Sequence, residues 1–288
     1  MSFPNPFKPD ASIYLQSAGS ALPGSVFNIR VRLTPQEEIK SREVRVELEG
    51  WETYYIKQTS SNGKSTTTRI VKRSAVFSQI VRSLAQEPVL MKGIEQYWDS
   101  SLEVPPDAPP SSKGKLVDIR WKLKSVIDVA MRQDESTELP FQIYKLPPQF
   151  SGDPSFTPAE KTFDSCHLRL EAPRTAGCGD TLIGHLRIDT KKSFNVRGIR
   201  IDLIQSEDAG ARKSDVIAVT QQVSGPVSLN PHEFRAFDFS LAVPLDASPS
   251  AVAPHSSLRW IIKASLDRQL RKDFNVEQEL LLYNAPGK

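Results

Sequence analysis

Ser101-Leu102-Glu103-Val104-Pro105-Pro106-Asp107-Ala108 and Ser240-Leu241-Ala242-Val243-Pro244-Leu245-Asp246-Ala247 are two versions of one stretch, 139 residues apart. The match runs on without a gap to Asp134 and Asp273, through Arg120-Trp121 over Arg259-Trp260, Lys124 over Lys263, Asp128 over Asp267 and Arg132 over Arg271. Of these 34 positions, 14 are identical. Solenoid units repeat every ~20–50 residues, so a period this long is a duplicated domain.

Around the repeat the pattern has period two. Val117, Ile119, Trp121, Leu123, Ile127, Val129 and Met131 alternate with Asp118, Arg120, Lys122, Lys124 and Asp128. An antiparallel strand with one face on a core reads this way. In the copy Leu258, Trp260, Ile262, Ala264 and Leu266 share a face, so each tryptophan is predicted to fill a core. Working outward, Val31 and Leu33 oppose Arg30 and Arg32, and Val44, Val46 and Leu48 oppose Arg45, Glu47 and Glu49. These strands recur at an offset of 155: Gly24 falls on Gly179, and Val44-Arg45-Val46-Glu47-Leu48 on Ile199-Arg200-Ile201-Asp202-Leu203. The two offsets differ by 16, so the first half holds that many extra residues between Gly50 and Ser101.

Twenty-two prolines spread along 288 residues oppose long helices, since an interior proline costs ~3 kcal/mol. The pattern leaves room for one short helix near Phe77–Ala85. Leu146 to Pro158 holds four prolines and no alternation, which reads as a stiff linker and possible hinge. The expected fold is all-β: two tandem antiparallel β-sandwiches of immunoglobulin-like architecture, residues 1–149 and 150–288.

Composition narrows the function. The net charge of +3 is too mild for a dedicated nucleic-acid binder. Met1–Lys8 lacks the apolar core of a secretory signal, and no apolar run reaches ~18 residues, so the expected location is cytoplasmic. Two cysteines, Cys166 and Cys178, make no disulfide framework. Cys166, His167, Cys178 and His185 fit no standard metal spacing. No Gly-x-Ser-x-Gly elbow occurs, and the four histidines lie in different elements of the second half. Gly63-Lys64-Ser65 imitates a phosphate loop, but Gln58 stands where the motif needs glycine. Asn5-Pro6-Phe7, a tripeptide that some endocytic domains read, is assigned to a disordered tail. The reading is therefore not an enzyme, with no cofactor, metal, nucleic acid or small-molecule substrate.

The binding candidate is the stretch 53–86. It holds Lys57, Lys64, Arg69, Lys72, Arg73 and Arg82 and no acidic residue. Asn62-Gly63 is the preferred pair of a two-residue hairpin turn. That turn would set Tyr54 opposite Val71, Tyr55 opposite Ile70 and Ile56 opposite Arg69. From Gln58 to Thr68 the chain is polar, so the tip finds no core and should stand in solvent. A basic hairpin with Tyr54 and Tyr55 at its base suits an anionic partner: a phosphorylated or acidic protein, or anionic lipid headgroups at a membrane. The competing reading is a solvated edge whose lysines prevent edge-to-edge aggregation.

The ordered set Pro23-Gly24-Ser25-Val26, Val44 to Trp51, Leu102-Glu103-Val104-Pro105, Pro109-Pro110-Ser111 and Ile119-Arg120-Trp121-Lys122-Leu123 resembles the amino-terminal domain of the arrestin family. Gly179-Asp180-Thr181-Leu182-Ile183-Gly184 with Leu241-Ala242-Val243-Pro244 resembles its carboxy-terminal domain. The resemblance implies two hinged sandwiches acting as an adaptor or scaffold without catalysis, or a cargo-sorting subunit that pairs edge strands. Pro147-Pro148-Gln149-Phe150 lacks the tyrosine of a Pro-Pro-x-Tyr motif, and Ile13-Tyr14-Leu15-Gln16 is not followed by paired lysines. Neither ligase recruitment nor phosphate sensing is carried over. The chain ends soon after its last strand, so no regulatory tail is expected.

Overall fold

The computed structural model describes residues 8–62, 65–147 and 158–284. Among these residues the chain is all-β, with no helix. The longer strands are β1 Ala11–Ser17, β2 Val26–Pro35, β3 Glu43–Ser61, β4 Thr66–Gln86, β5 Gln96–Glu103, β6 Asp118–Asp128 and β7 Glu135–Ile143. After them come β8 Ala159–Thr162, β9 Cys166–Glu171, β10 Thr181–Thr190, β11 Gly198–Ala209, β12 Arg212–Ser224, β13 Phe234–Ala242, β14 Ser257–Asp267 and β15 Phe274–Tyr283. The chain divides into two compact units. The first is built from described residues of 8–113 with 118–144 and 253–255; the second from 114–117, 145–252 and 256–284.

In the first unit a three-stranded sheet, β1-β2-β5, faces a six-stranded sheet ordered Ser20–Ala21, β7, β6, β3, β4, with Ser112–Lys113 beside β6. Alternation puts Phe27, Ile29, Val31, Val46, Leu48, Trp121 and Leu123 between the sheets, all buried. The second unit repeats the plan: β8-β9-β10-β13 faces Thr175–Gly177, β15, β14, β11, β12, with Ala251–Val252 beside β14.

The duplicated residues make duplicated bonds. Trp121 Nε1 donates to Pro109 O at 2.9 Å, and Trp260 Nε1 to Ser248 O at 2.9 Å. Ile143 N donates to Ser111 Oγ at 3.1 Å, as Leu282 N does to Ser250 Oγ at 2.9 Å. Asp134 Oδ1 accepts the Val129 N–H at 3.4 Å, and Asp273 Oδ1 the Arg268 N–H at 3.1 Å. Each pair of carbonyls, hydroxyls or carboxylates stands 139 residues apart. The repeat therefore preserves the polar partners of the core as well as its apolar face.

Two expectations are corrected. The short helix allowed near Phe77–Ala85 is part of strand β4. Its apolar residues Phe77, Ile80, Val81 and Leu84 have helical spacing because the strand is bulged twice. Gly50 pairs Ser78 while Trp51 pairs Val76, leaving Phe77 extra; Val44 pairs Ala85 while Arg45 pairs Ser83, leaving Leu84 extra. Each bulge resets the alternation, so Phe77, Ile80 and Leu84 all reach the core. Phe77 meets Trp121 edge-on, with centroids 5.3 Å apart. The second correction concerns Glu47 and Glu49, which the pattern placed on a charged outer face. They are only 4% and 6% exposed. Arg45 Nε reaches Glu47 at 2.6 Å, and Lys122 Nζ and Trp51 Nε1 reach Glu49 at 3.2 and 2.9 Å. Burial pushes the Glu49 carboxyl up, but the bonds from Trp51 and Lys122 outweigh it and hold it below the usual range.

Each unit also buries a glutamate on β3 or β11, next to where the pairing with β6 or β14 ends. In the first, Glu52 is 1% exposed and accepts the His255 N–H at 3.0 and 3.2 Å. In the second, Glu207 is 1% exposed and accepts the N–H groups of Lys115, Leu116 and Val117 at 2.9, 2.7 and 2.9 Å. Burial raises the Glu207 carboxyl, and the three backbone donors more than reverse that, so its pKa lies below the usual 4.5. The two glutamates are 155 residues apart, at the front offset of the duplication.

Two stability measurements follow. A Cβ on Gly50 would stand 2.6 Å from the Phe77 ring and 3.0 Å from Trp121. Gly50→Ala should cost about 1–3 kcal/mol in urea unfolding, and Phe77→Ala should cost less in that background than in the parent. Glu207→Gln should lose about 1–3 kcal/mol at neutral pH, because a charged acceptor of three N–H groups is removed. A carboxyl depressed in the folded state stabilises above its unfolded value of 4.5, and that stability fades as pH falls through the folded value. The gap between variant and parent should therefore narrow below pH 4.5 in acid-titrated unfolding curves.

Candidate functional site

The hairpin β3–β4 is where the two units differ most. Its strands have 19 and 21 residues, against 12 and 13 for β11 and β12. This difference takes up nearly all of the extra length that the two offsets expose. The pairing of β6 with β3 ends at Asp118↔Thr53. Beyond it only two strands continue, Tyr54 to Ser61 against Thr66 to Arg73.

The register of this ribbon differs from the expectation by two residues. Tyr54 faces Arg73, Tyr55 faces Lys72 and Ile56 faces Val71, and the ladder runs to Ser61↔Thr66. The centre of the hairpin lies one residue beyond the Asn62-Gly63 pair because Asn62 closes it with Ser65. Asn62 N donates to Ser65 O at 3.3 Å, and Asn62 Oδ1 accepts the Ser65 N–H at 2.9 Å. A slip of two leaves every side chain on the face it had. Gly63 and Lys64 lie outside the described residues, as do Asn5-Pro6-Phe7 and 148–157 of the linker.

The expected site residues do not form one patch. Arg69 and Arg73 share a face with Tyr54, Ile56 and Val71; Lys57 and Lys72 share the opposite face with Tyr55 and Ile70. Tyr54 packs on the His255 imidazole, with centroids 4.6 Å apart. Thr59 and Thr68 join their hydroxyls across the strands at 3.0 Å. Outward from Lys57 and inward to Ile70 the ribbon is exposed, and the tyrosines and Ile56 at its base are half-buried.

Lys57, Arg69, Lys72 and Arg73 are exposed and have no carboxylate within ion-pair distance among the described residues. Elsewhere in the same unit Arg30, Arg32, Arg45, Lys122 and Arg132 sit against Asp99, Glu95, Glu47, Glu49 and Glu37 at 2.6–3.4 Å. The shorter hairpin of the second unit carries acids and is neutralised, with Lys213 on Asp208 at 2.6 Å. Beyond Thr53 the β3–β4 ribbon thus carries four exposed cations and no acid. Sequence reasoning found it through the missing acids; the split between faces was already implicit in the expected register, which differs by an even number of residues.

The remaining candidates are occupied by structure. Cys166 and Cys178 are both buried, and burial pushes the Cys166 thiol up to about 11. His167 takes Thr162 at 2.8 Å and Glu160 at 3.6 Å, and His185 takes Asp238 at 2.6 Å. Among the described residues no three His, Cys, Asp or Glu side chains are grouped to hold a metal ion. Among the described residues no helix is long and apolar enough to cross a membrane. A surface crease between Trp51, Arg120, Lys122, Glu138 and Pro140 has its ammonium shared by Glu49 and Glu138, at 3.2 and 2.7 Å.

Comparison with known families places the profile described as Arrestin (or S-antigen), C-terminal domain, on residues 18–148. No curated protein matches the chain. The matched segment is in the first half, which the sequence reading likened to the amino-terminal domain instead. Both halves are the same sandwich by duplication, so a profile of one domain can find the other.

If the ribbon cations serve binding and not folding, their loss should leave stability alone. Replacing Lys57, Arg69, Lys72 and Arg73 together by serine should move the first unfolding transition by less than about 2 °C in calorimetry. A fall beyond ~5 °C would mean that the charges hold the sheet.

Proposed function

Because the chain is an arrestin-family protein, we propose that it works as a non-catalytic adaptor or scaffold whose partner contact is the basic hairpin of residues 53–82. Proteins of this family generally bind other proteins and do no chemistry. The single observation that carries the finer reading is the set of four exposed, unpaired cations on a ribbon that extends past the last strand it can pack against. Holding like charges in solvent on a two-stranded ribbon contributes nothing to the core, so the ribbon's composition answers to something outside the unit. An acidic or phosphorylated protein segment meets that need through charge-assisted hydrogen bonds. The partner is met in the cytoplasm, the sandwich faces adding contact area, and the domain boundary falls near residue 150.

A second reading is favoured by one feature. β4 is a 21-residue strand at the end of its sheet, and an assembly or cargo-sorting subunit joins its partners through such an edge.

Partner recovery on immobilised protein tests the proposal. The Lys57/Lys64/Arg69/Lys72/Arg73→Glu variant should recover at least tenfold less partner than the parent. Recovery by the parent should itself fall as salt is raised from ~0.05 to ~0.5 M. Equal recovery by parent and variant would overturn the hairpin as the contact.

A further inference from the structure

We infer that the partner of the ribbon is an extended protein segment that adds as a further strand along the free edge of β4, with acidic side chains directed to both faces of the ribbon. This rests on the reading of the ribbon as the contact site and names the class of partner.

Three observations lead there. The first is the edge itself. β4 is the last strand of its sheet, paired on one side to β3 and on the other to no strand among the described residues. Alternate residues of an edge strand turn their N–H and C=O groups outward, ready to pair. The second is regularity. From Trp51↔Val76 to Ser61↔Thr66 the register holds without a break, and the bulge at Phe77 ends it. That leaves an eleven-residue run, Thr66–Val76, on which a short strand can lie flat, while the bulged remainder of β4 opposes such pairing.

The third observation chooses between occupants. The cations are divided, Arg69 and Arg73 on one face, Lys72 and Lys57 on the other. A membrane surface presents its charge from one side and would leave one pair of cations in water. A strand laid on the edge sends successive side chains to alternate faces, and directly opposed Cβ atoms then come within about 5 Å. Acids at consecutive positions of such a strand reach Arg69 or Arg73 on one side and Lys72 on the other. Ile70 between the charges and Val76 beyond them, 43% and 42% exposed, offer apolar ground. Edge lysines that only block aggregation need no such division, and an added strand needs it.

Fluorescence anisotropy of the full chain with labelled decapeptides tests this. One peptide carries four Glu in two consecutive pairs separated by Val and Thr. The second has the same composition with every Glu at alternate positions, so that all fall on one face. The third keeps the first sequence with N-methylated backbone amides at the alternate positions that would face β4, which removes the donors to its edge. The first should bind at least tenfold more tightly than the other two, and Arg69→Ser with Lys72→Ser should abolish the difference. Equal binding of all three would overturn strand addition while leaving the anionic contact standing. Binding of none, with the charge-reversed variant unchanged in partner recovery, would remove both. Sedimentation with phosphatidylserine-containing vesicles, in place of any peptide binding, would overturn the proposal in favour of a membrane.

Discussion

Everything in this fold depends on burying two indoles without stranding their N–H groups. Trp121 and Trp260 are 2% and 1% exposed, and each donates to a carbonyl twelve residues back along its own chain. A large ring fills the space between the sheets, and its one polar atom ties the connecting loop to the strand. Without the bond the buried donor would cost about 1–3 kcal/mol, and the loop carrying Pro109 or Ser248 would lose its anchor. The residues needed for this solution, from the strand Leu102–Val104 to Asp134, are those that the duplication kept most faithfully. Their agreement reflects the shared demands of a core.

Where that demand ends, the copies part. The hairpin β11–β12 stops near the width of its sheet, and its lysine lies on an aspartate. The hairpin β3–β4 continues past β6, and from Thr53 to Gln86 it carries no acid. Its base is still held: Gly50 makes room for Phe77, Phe77 rests on Trp121, and Tyr54 rests on His255. A firmly seated base with charges left in solvent is what the proposed contact element requires, and the family whose profile matches residues 18–148 is generally one of adaptors.

The fold was legible because period two survives in every strand that faces the core, from Val31 and Leu33 to Trp260 and Ile262. It failed in β4, where bulges at Phe77 and Leu84 gave apolar residues helical spacing. A bulge is a response to what lies beneath the strand, here the Trp121 ring, and local pattern does not contain it. The ribbon was legible as charge but not as geometry. Asn62 signals a turn, yet its own side chain moved the centre by one residue by capturing Ser65. Glu52 and Glu207 went unread because a glutamate among strand residues looks solvated. Their match at the 155-residue offset was the available clue, and only the loops 253–255 and 114–117 explain it.

The central claim is that the β3–β4 ribbon, and not the shared scaffold, receives an anionic partner. Amide hydrogen exchange of the full chain, with and without polyglutamate, tests it inside one molecule, since the second unit's hairpin is a built-in control. Slowed exchange confined to Thr66–Val76, with Arg212–Ser224 unchanged, is the predicted result. No slowing at Thr66–Val76, or equal slowing in both hairpins, would contradict it.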